Sequence, residues 1–107
     1  MTDKQQNAMR MIEALNERER MAFDIVVRNA ADAAGYDFAF TDEVTEIAVK
    51  SGKFTAQQIG AYLTDLDQKE LIEICGKERN ENGWYQQIIF PEDIYDLIVS
   101  PEYERRD

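Results

Sequence analysis

Hydrophobic residues recur at helical spacing through the first part of the chain. Apolar side chains three and four residues apart predict one helix over residues 3–14 and a second from Asn16 to Gly35. Asn16 with Glu19 three residues later forms a capping box, and Gly35 supplies a left-handed helix end. Residues 36–40, with the sequence YDFAF, are predicted to be an aromatic connector that fills the core.

Two further helices with a turn between them are predicted next. Thr41 is the predicted N-cap of the first, and Ser51 with Gly52 ends it. Thr55 is the predicted N-cap of the second. The residues that recur as a buried stripe in that helix are Ile59, Tyr62, Leu63 and Leu66.

The pattern then changes to that of β-strands. Residues 71–75 and 84–90 are rich in β-forming residues, and the polar segment between them ends in Asn-Gly, a turn sequence. Pro91 and the two acids after it suit the first turn of a last helix, and a charged tail covers 99–107. The chain, residues 1–107, is therefore predicted to be one α+β, mostly helical domain with a two-stranded β-hairpin.

The segment VTEIAVKSGKFTAQQIGAYLTDLDQKELIEI, residues 44–74, resembles the centre of a winged helix-turn-helix domain. The residues that match its helix packing, turn and entry into the wing are Ala48, Gly52, Ile59, Leu63, Leu66, Leu71 and Ile72. The preceding LNERERMAFDIV is similar to the opening helix of small bacterial regulators in that superfamily, so the resemblance covers residues 16–98. The segment from Gly52 to Ile59 is one residue longer than in the tight motif, which predicts an extended turn. Glu70 stands where a glycine commonly precedes the wing, so a different exit from the helix is expected.

The resemblance implies a winged helix-turn-helix with a β-hairpin wing, an extra N-terminal helix and a C-terminal helix. Such a domain binds duplex DNA with the third helix of the motif, which here is the helix that begins after Thr55. Glutamine can pair with adenine, threonine can contact phosphate or a thymine methyl group, and lysine and arginine can contact phosphates. The candidate DNA-binding residues are Lys50, Lys53, Thr55, Gln57, Gln58, Tyr62, Lys77 and Arg79. The alternative is that the polar residues of this helix form an ordinary solvated face.

The net charge of the chain opposes DNA binding, but the negative charge is not spread evenly along the sequence. The 22 acidic and 12 basic side chains give a formal charge of -10. Residues 50–79 carry five of each sign, and residues 47–64 carry Lys50 and Lys53 and no acid. The excess negative charge therefore lies outside the predicted turn, third helix and first half of the hairpin.

Composition narrows the classes of function. The chain has no histidine, a single cysteine and no glycine-rich phosphate loop, which excludes histidine-dependent catalysis and leaves poor ligands for zinc. We therefore expect no enzymatic activity, no cofactor and no metal. The lone Cys75 favours a reducing compartment, and the absence of a long apolar run or a signal-peptide pattern favours a cytoplasmic protein without a membrane partner.

The expected partner is duplex DNA, with the protein acting as a small transcriptional regulator. Four phosphate contacts imply a salt slope of roughly -3 to -4 per subunit, which is weak for a monomer and favours a homodimer. Apolar residues of the first helix either contact a second subunit or pack within the domain, and they are Met9, Met11, Ile12 and Leu15. The rival function is protein contact, in which the acidic surface meets a basic partner or imitates nucleic acid.

Overall fold

The described part of the protein consists of five α-helices and three short β-strands. The computed structural model describes residues 1–80 and 83–104, without the side chains of residues 77–80 and Trp84. The helices are α1 Asp3–Glu13, α2 Glu17–Ala34, α3 Thr41–Lys50, α4 Ala56–Gln68 and α5 Glu92–Ile98. The strands are β1 Ala39–Phe40, β2 Glu73–Asn80 and β3 Gly83–Ile89. The fold is thus α+β and mostly helical, as the sequence predicts.

The strands form an antiparallel sheet in the order β1-β3-β2, which is compatible with a winged helix. The predicted two-stranded hairpin is present as β2 and β3. The sequence does not predict the third strand, β1, which joins the sheet because Ala39 pairs with Ile88. The hairpin is also longer than predicted, since β2 continues through polar residues as far as Asn80, which pairs with Gly83. Backbone pairing with β3 is sufficient there, and it requires no apolar side chains.

The predicted ends of α2 and the predicted start of α4 are confirmed. Asn16 and Glu19 form a reciprocal capping box, and Gly35 ends the helix in the left-handed region with φ 59°. Thr55 is the N-cap of α4 and also forms a capping box, with Gln58. These interactions are local in sequence, which is why the residue pattern alone predicts them.

The predicted N-cap of α3 is wrong. Phe40 occupies the cap position without a side-chain hydrogen bond, and Thr41 is the first residue of the helix. The Thr41 hydroxyl instead accepts a hydrogen bond from the backbone N–H of Gln86, at 2.8 Å. The helix therefore begins one residue earlier than the sequence suggests, directly after the sheet-paired Phe40, and the Thr41 side chain bonds to β3 instead of capping α3.

The exit from α4 is also not as expected. Glu70 adopts φ 63°, the left-handed conformation in which glycine is usual. The N–H of Leu71 donates to the carbonyl of Leu66, and that of Glu70 donates to the carbonyl of Asp67, both at 3.0 Å. This pair of bonds is a Schellman motif, so the chain leaves the helix as it would with glycine although the residue is glutamate.

The aromatic connector contributes an alanine to the core rather than its rings. Ala39 is fully buried, whereas Phe38 and Phe40 are only partly buried. Phe40 contacts Phe38 and Tyr85 edge-to-face, with ring centroids 5.3 and 5.7 Å apart. Side chains alternate along a strand, and the register that points Ala39 inward points both neighbouring rings outward. The prediction that this segment fills the core with aromatic rings is therefore wrong.

One hydrophobic cluster joins all the helices and the sheet. Helix α1 packs against α5, and α2 packs against α3 and α4. The buried Asn29 of α2 accepts a hydrogen bond from the N–H of Phe40 and donates one to Glu43, each at 2.9 Å. Asn29 therefore fixes the start of α3 against α2, and α3 in turn supports α4.

Candidate nucleic-acid interface

Helix α4 presents one buried and one exposed side. Ile59, Leu63 and Leu66 are buried in the core, while the partly buried Tyr62 lies at the edge of this stripe. Among residues 56–64, the exposed residues other than Gln58, whose side chain caps the helix, are here called the α4 face; they are Ala56, Gln57, Gly60, Ala61 and Thr64. All five are uncharged, and Gln57 is the only long side chain among them. The α4 face is therefore a flat, neutral surface with one long polar side chain.

The structure assigns different roles to the two candidate glutamines. The Gln58 side-chain oxygen accepts a hydrogen bond from the N–H of Thr55 at 2.9 Å, and the Thr55 hydroxyl accepts one from the N–H of Gln58 at 3.1 Å. Paired recognition of adenine needs both the oxygen and the nitrogen of an amide, so Gln58 must break its cap to recognise a base. Gln57 makes no such bond to any described residue, and its amide remains available.

Two predicted phosphate contacts from lysine differ in availability. Lys50 forms an exposed ion pair with Glu46 at 2.7 Å, and the hydrogen bond from Lys50 holds the pKa of Glu46 below its ordinary value. Lys53 is exposed in the turn before α4, and no salt bridge involves it in the part of the chain that the structure describes. Lys53 and Arg28 line a shallow cleft of about 270 Å³ between α2 and α3.

A further cation beside α4 is absent from the predicted set. The guanidinium carbon of Arg18, near the start of α2, lies 4.2 Å from the ring centroid of Phe54 and 5.8 Å from that of Tyr62. The two rings contact each other edge-to-face at 5.6 Å. Sequence reasoning missed Arg18 because its aromatic neighbours follow much later in the chain, and no local pattern indicates the contact.

The two predicted cations of the hairpin, Lys77 and Arg79, have side chains outside the described part of the structure. Their backbones lie in β2, where Lys77 pairs with Gln86 and Arg79 pairs with Trp84. Both residues therefore belong to the hairpin, as the sequence predicts, and their role in binding DNA stays a prediction.

The apolar residues in and just after α1 that were candidates for a dimer contact pack within the chain. Ile12 is fully buried, and Met9, Met11 and Leu15 are partly buried against the core. This placement corresponds to the alternative of intramolecular packing. A second subunit would meet only the exposed parts of the latter three side chains.

Ionic contacts hold the C-terminal end of α4 against α2. Glu19 is 7% exposed, accepts a hydrogen bond from the N–H of Asn16 at 2.9 Å and forms an ion pair with Lys69, which also lies 3.5 Å from Asp65. Hydrogen bonding from Asp65, then from Lys69 and the backbone of Asn16, lowers the pKa of Glu19 to about 2. The same hydrogen bond to Glu19, followed by burial, raises the pKa of Asp65.

An acidic cleft lies beyond this end of α4, between α1 and α5. Its volume is about 670 Å³, and its floor includes Met11, Ile72 and Ile94. The carboxylates that line it are Asp67, Glu70, Glu73, Glu92 and Asp93. Lys4 is the only cation among the lining residues, and among the described residues none of the five acids forms a salt bridge. The excess negative charge is thus partly collected at a single place.

Among the described residues, potential metal ligands are not clustered, and the pKa of the one cysteine is not lowered. In that part of the chain, no group of three or more cysteine, aspartate or glutamate side chains is placed to hold a metal ion. Burial, followed by the charges of Glu73 and Asp67, raises the pKa of the Cys75 thiol, which favours the less reactive protonated form.

Comparisons with known proteins give no relative for this chain. No protein-family model, no curated protein and no solved structure matches it. Within residues 1–80 and 83–104, no helix combines the length and the apolarity needed to cross a bilayer. Any statement about function therefore depends on the geometry and charge of the surfaces described above.

Proposed function

We propose that this chain is a winged helix-turn-helix domain that binds duplex DNA through α4 and acts as a small transcriptional regulator without catalytic activity. The observation that carries the proposal is the α4 face: it is exposed and free of acid in a chain with a formal charge of -10. An α-helix with its side chains is about 10–12 Å across, and the major groove is about 12 Å wide. The α4 face therefore suits insertion in that groove.

In this proposal Gln57 recognises a base edge and cations contact phosphates. Gln57 has an available amide at the N-terminal end of α4, where a helix inserted in the groove makes its base contacts. Lys53 contacts a phosphate beside it, and Lys77 and Arg79 contact the backbone from the hairpin. Gln58 and Thr55 keep α4 capped.

The distance between Gln57 and the acidic cleft weakens the repulsion that the net charge exerts on DNA at the N-terminal end of α4. Gln57 and Asp67 are ten residues apart on one helix, which corresponds to about 15 Å along its axis. The Debye length is about 8 Å at physiological ionic strength, so most of the repulsion from the cleft is screened at that distance. A homodimer would double the number of phosphate contacts and compensate for the few cations on each subunit.

The test is a fluorescence titration of the protein against random-sequence duplex DNA at low salt, with the parent and Gln57→Glu. We expect salt-sensitive binding by the parent. Gln57→Glu should weaken it by about thirtyfold, because a carboxylate replaces a hydrogen-bonding amide against base edges and phosphates. Gln6→Glu is the matched control, since it adds the same charge at an exposed position of α1. Absence of parent binding, or equal losses in both variants, would reject the proposal.

The acidic cleft favours a second candidate function, contact with a basic protein. Five carboxylates around an apolar floor form a surface that complements lysine and arginine side chains. In the extreme form of this function the acidic surface imitates the phosphates of nucleic acid. Two results together would favour this candidate over the regulator. The parent would not bind duplex DNA, and it would bind a lysine-rich peptide in a salt-sensitive way that the double variant Glu73→Gln plus Glu92→Gln loses.

A further inference from the structure

We infer that Arg18 is a phosphate anchor, held at the side of α4 by stacking on Phe54 and Tyr62, for the duplex that α4 binds. This inference rests on the proposed DNA-binding function and adds a residue that lies outside the helix-turn-helix segment. The observation behind it is a guanidinium fixed over two aromatic rings, 4.2 and 5.8 Å from their centroids.

The position of Arg18 follows from the two rings beneath it. Phe54 is 4% exposed and belongs to the core, so its ring is a fixed support. Tyr62 lies at the edge of the buried stripe of α4, between the core and the α4 face. A cation stacked on Tyr62 therefore lies beside α4, at the boundary between its buried and exposed sides.

When α4 lies in the major groove, the sugar-phosphate backbone of the DNA runs next to this boundary. A helix of about 10–12 Å fills a major groove of about 12 Å, so the groups that flank the helix meet the sugar-phosphate backbones at the groove edges. With the α4 face directed at the base pairs, Arg18 projects from α2 toward one of these backbones. Lys53, before the first turn of α4, reaches a phosphate nearer the helix N-terminus.

The chemistry of arginine suits this role. A guanidinium that stacks on an aromatic ring still directs its N–H donors outward along the edge of its plane, and these donors match the oxygens of a phosphate. Stacking also restricts the side chain before binding, so less rotamer entropy is lost when DNA arrives. Within the described residues no salt bridge involves Arg18, and the nearby Glu19 is bonded to Asn16 and Lys69.

The experiment compares Arg18→Gln, Arg18→Lys and Arg10→Gln with the parent in titrations against random-sequence duplex at several salt concentrations. Arg18→Gln should weaken binding roughly tenfold at low salt and reduce the salt slope by about 1, because one phosphate contact is lost. Arg18→Lys keeps the charge and should retain the parent slope. Arg10 is exposed on α1, which packs against α5, so Arg10→Gln makes the same change in net charge without touching Phe54 or Tyr62 and should leave the slope unchanged.

Thermal unfolding of each variant separates binding from folding. Arg18→Gln removes a partly exposed stacking contact, and we expect it to remain folded at the temperature of the titration. If Arg18→Gln does not fold, Arg18→Lys and Arg18→Met are compared instead, with the same expected difference in slope. Equal slopes for the Arg18→Gln and Arg10→Gln variants, with a parent that binds duplex, would overturn the role of Arg18 and leave the proposed function standing. A parent that does not bind duplex would overturn both.

Discussion

The two ends of α4 differ sharply in what surrounds them. Residues 55–64, at the N-terminal end, carry no charge, and their exposed side chains are small or amide-bearing. Residues 65–70, at the C-terminal end, include Asp65, Asp67, Lys69 and Glu70. Lys69 is paired there with the buried Glu19, and Asp67 and Glu70 line the acidic cleft. One helix thus joins a neutral surface suited to a ligand and a charged end that supports the fold.

This contrast separates the effects expected from substitution. Changes at the C-terminal end should alter the free energy of unfolding and leave duplex affinity nearly unchanged. Changes on the α4 face, such as Gln57→Glu, should do the reverse, since Gln57 is exposed and makes no tertiary hydrogen bond to a described residue. A C-terminal variant that remains folded but loses duplex binding would show that the two ends are not independent.

The largest effect at the C-terminal end is expected for Lys69→Met. This change removes the cation from a carboxylate that is only 7% exposed and should lower the free energy of unfolding by about 2 kcal/mol in urea titrations near neutral pH. Lys50→Met makes the same replacement in an exposed ion pair and should change stability by less than about 0.5 kcal/mol. Similar losses in both variants would contradict a special role for Lys69.

The pH dependence of the stability lost in Lys69→Met gives a second check on the contact between Lys69 and Glu19. The pKa of Glu19 is lowered in the folded protein from 4.5 to about 2, so its ionised form stabilises the fold above pH 4.5. That contribution is lost as the pH falls from about 4.5 toward 2. The raised pKa of Asp65 acts in the opposite direction, because protonation relieves its repulsion with Glu19. The part of the stability that Glu19 contributes through Lys69 should therefore be lost as the pH falls from about 4.5 toward 2, and the difference between Lys69→Met and the parent should shrink over that range.

A smaller effect of opposite sign is expected for Glu70→Gly. Glu70 has φ 63°, a conformation that costs a residue with a side chain about 1 kcal/mol and costs glycine almost nothing. Glu70→Gly should therefore raise the free energy of unfolding by about 1 kcal/mol. Glu70→Gln removes the charge and retains the backbone cost, so it should change stability much less. A gain of similar size from Glu70→Gln would assign the cost to the acidic cleft rather than to the backbone.

The smallest effect is expected for Asp67→Asn. Asp67 lies in the last turn of α4, where the helix dipole disfavours negative charge, and four other carboxylates line the same cleft. Its neutralisation should raise the free energy of unfolding by about 0.5 kcal/mol at low salt and by less at high salt. Asp3→Asn, in the first turn of α1 where negative charge is favoured, should lower stability by a similar amount.

Features of the fold that depend on neighbours in sequence are the ones that the sequence predicts well. The Asn16–Glu19 box, the left-handed Gly35 and the cap at Thr55 are confirmed because each requires only residues within one turn of a helix. The buried stripe of α4 is predicted for the same reason, since its spacing reports a single helix face.

The predictions that are wrong concern residues whose conformation depends on residues far away in sequence. Thr41 is predicted as a cap because threonine usually caps, but the pairing of β1 with β3 assigns its hydroxyl to Gln86. Glu70 adopts the glycine conformation because the buried Leu71 and Ile72 direct the chain into the core after α4. For the candidate site, the uncharged surface of α4 can be predicted from the sequence. The different roles of Gln57 and Gln58 cannot, because they depend on hydrogen-bond geometry.

The sequence by itself determined the order of the five helices and the two hairpin strands, the caps of α2 and α4 and an acid-free stretch in an acidic chain. Only the tertiary structure decided that β1 completes the sheet, that Arg18 stacks beside α4 and that five carboxylates from α4, its exit, β2 and α5 line one cleft. The physical reason is the range of the interactions. Helix periodicity and caps act within a few residues, while stacking, sheet pairing and electrostatics act between residues that only folding brings together.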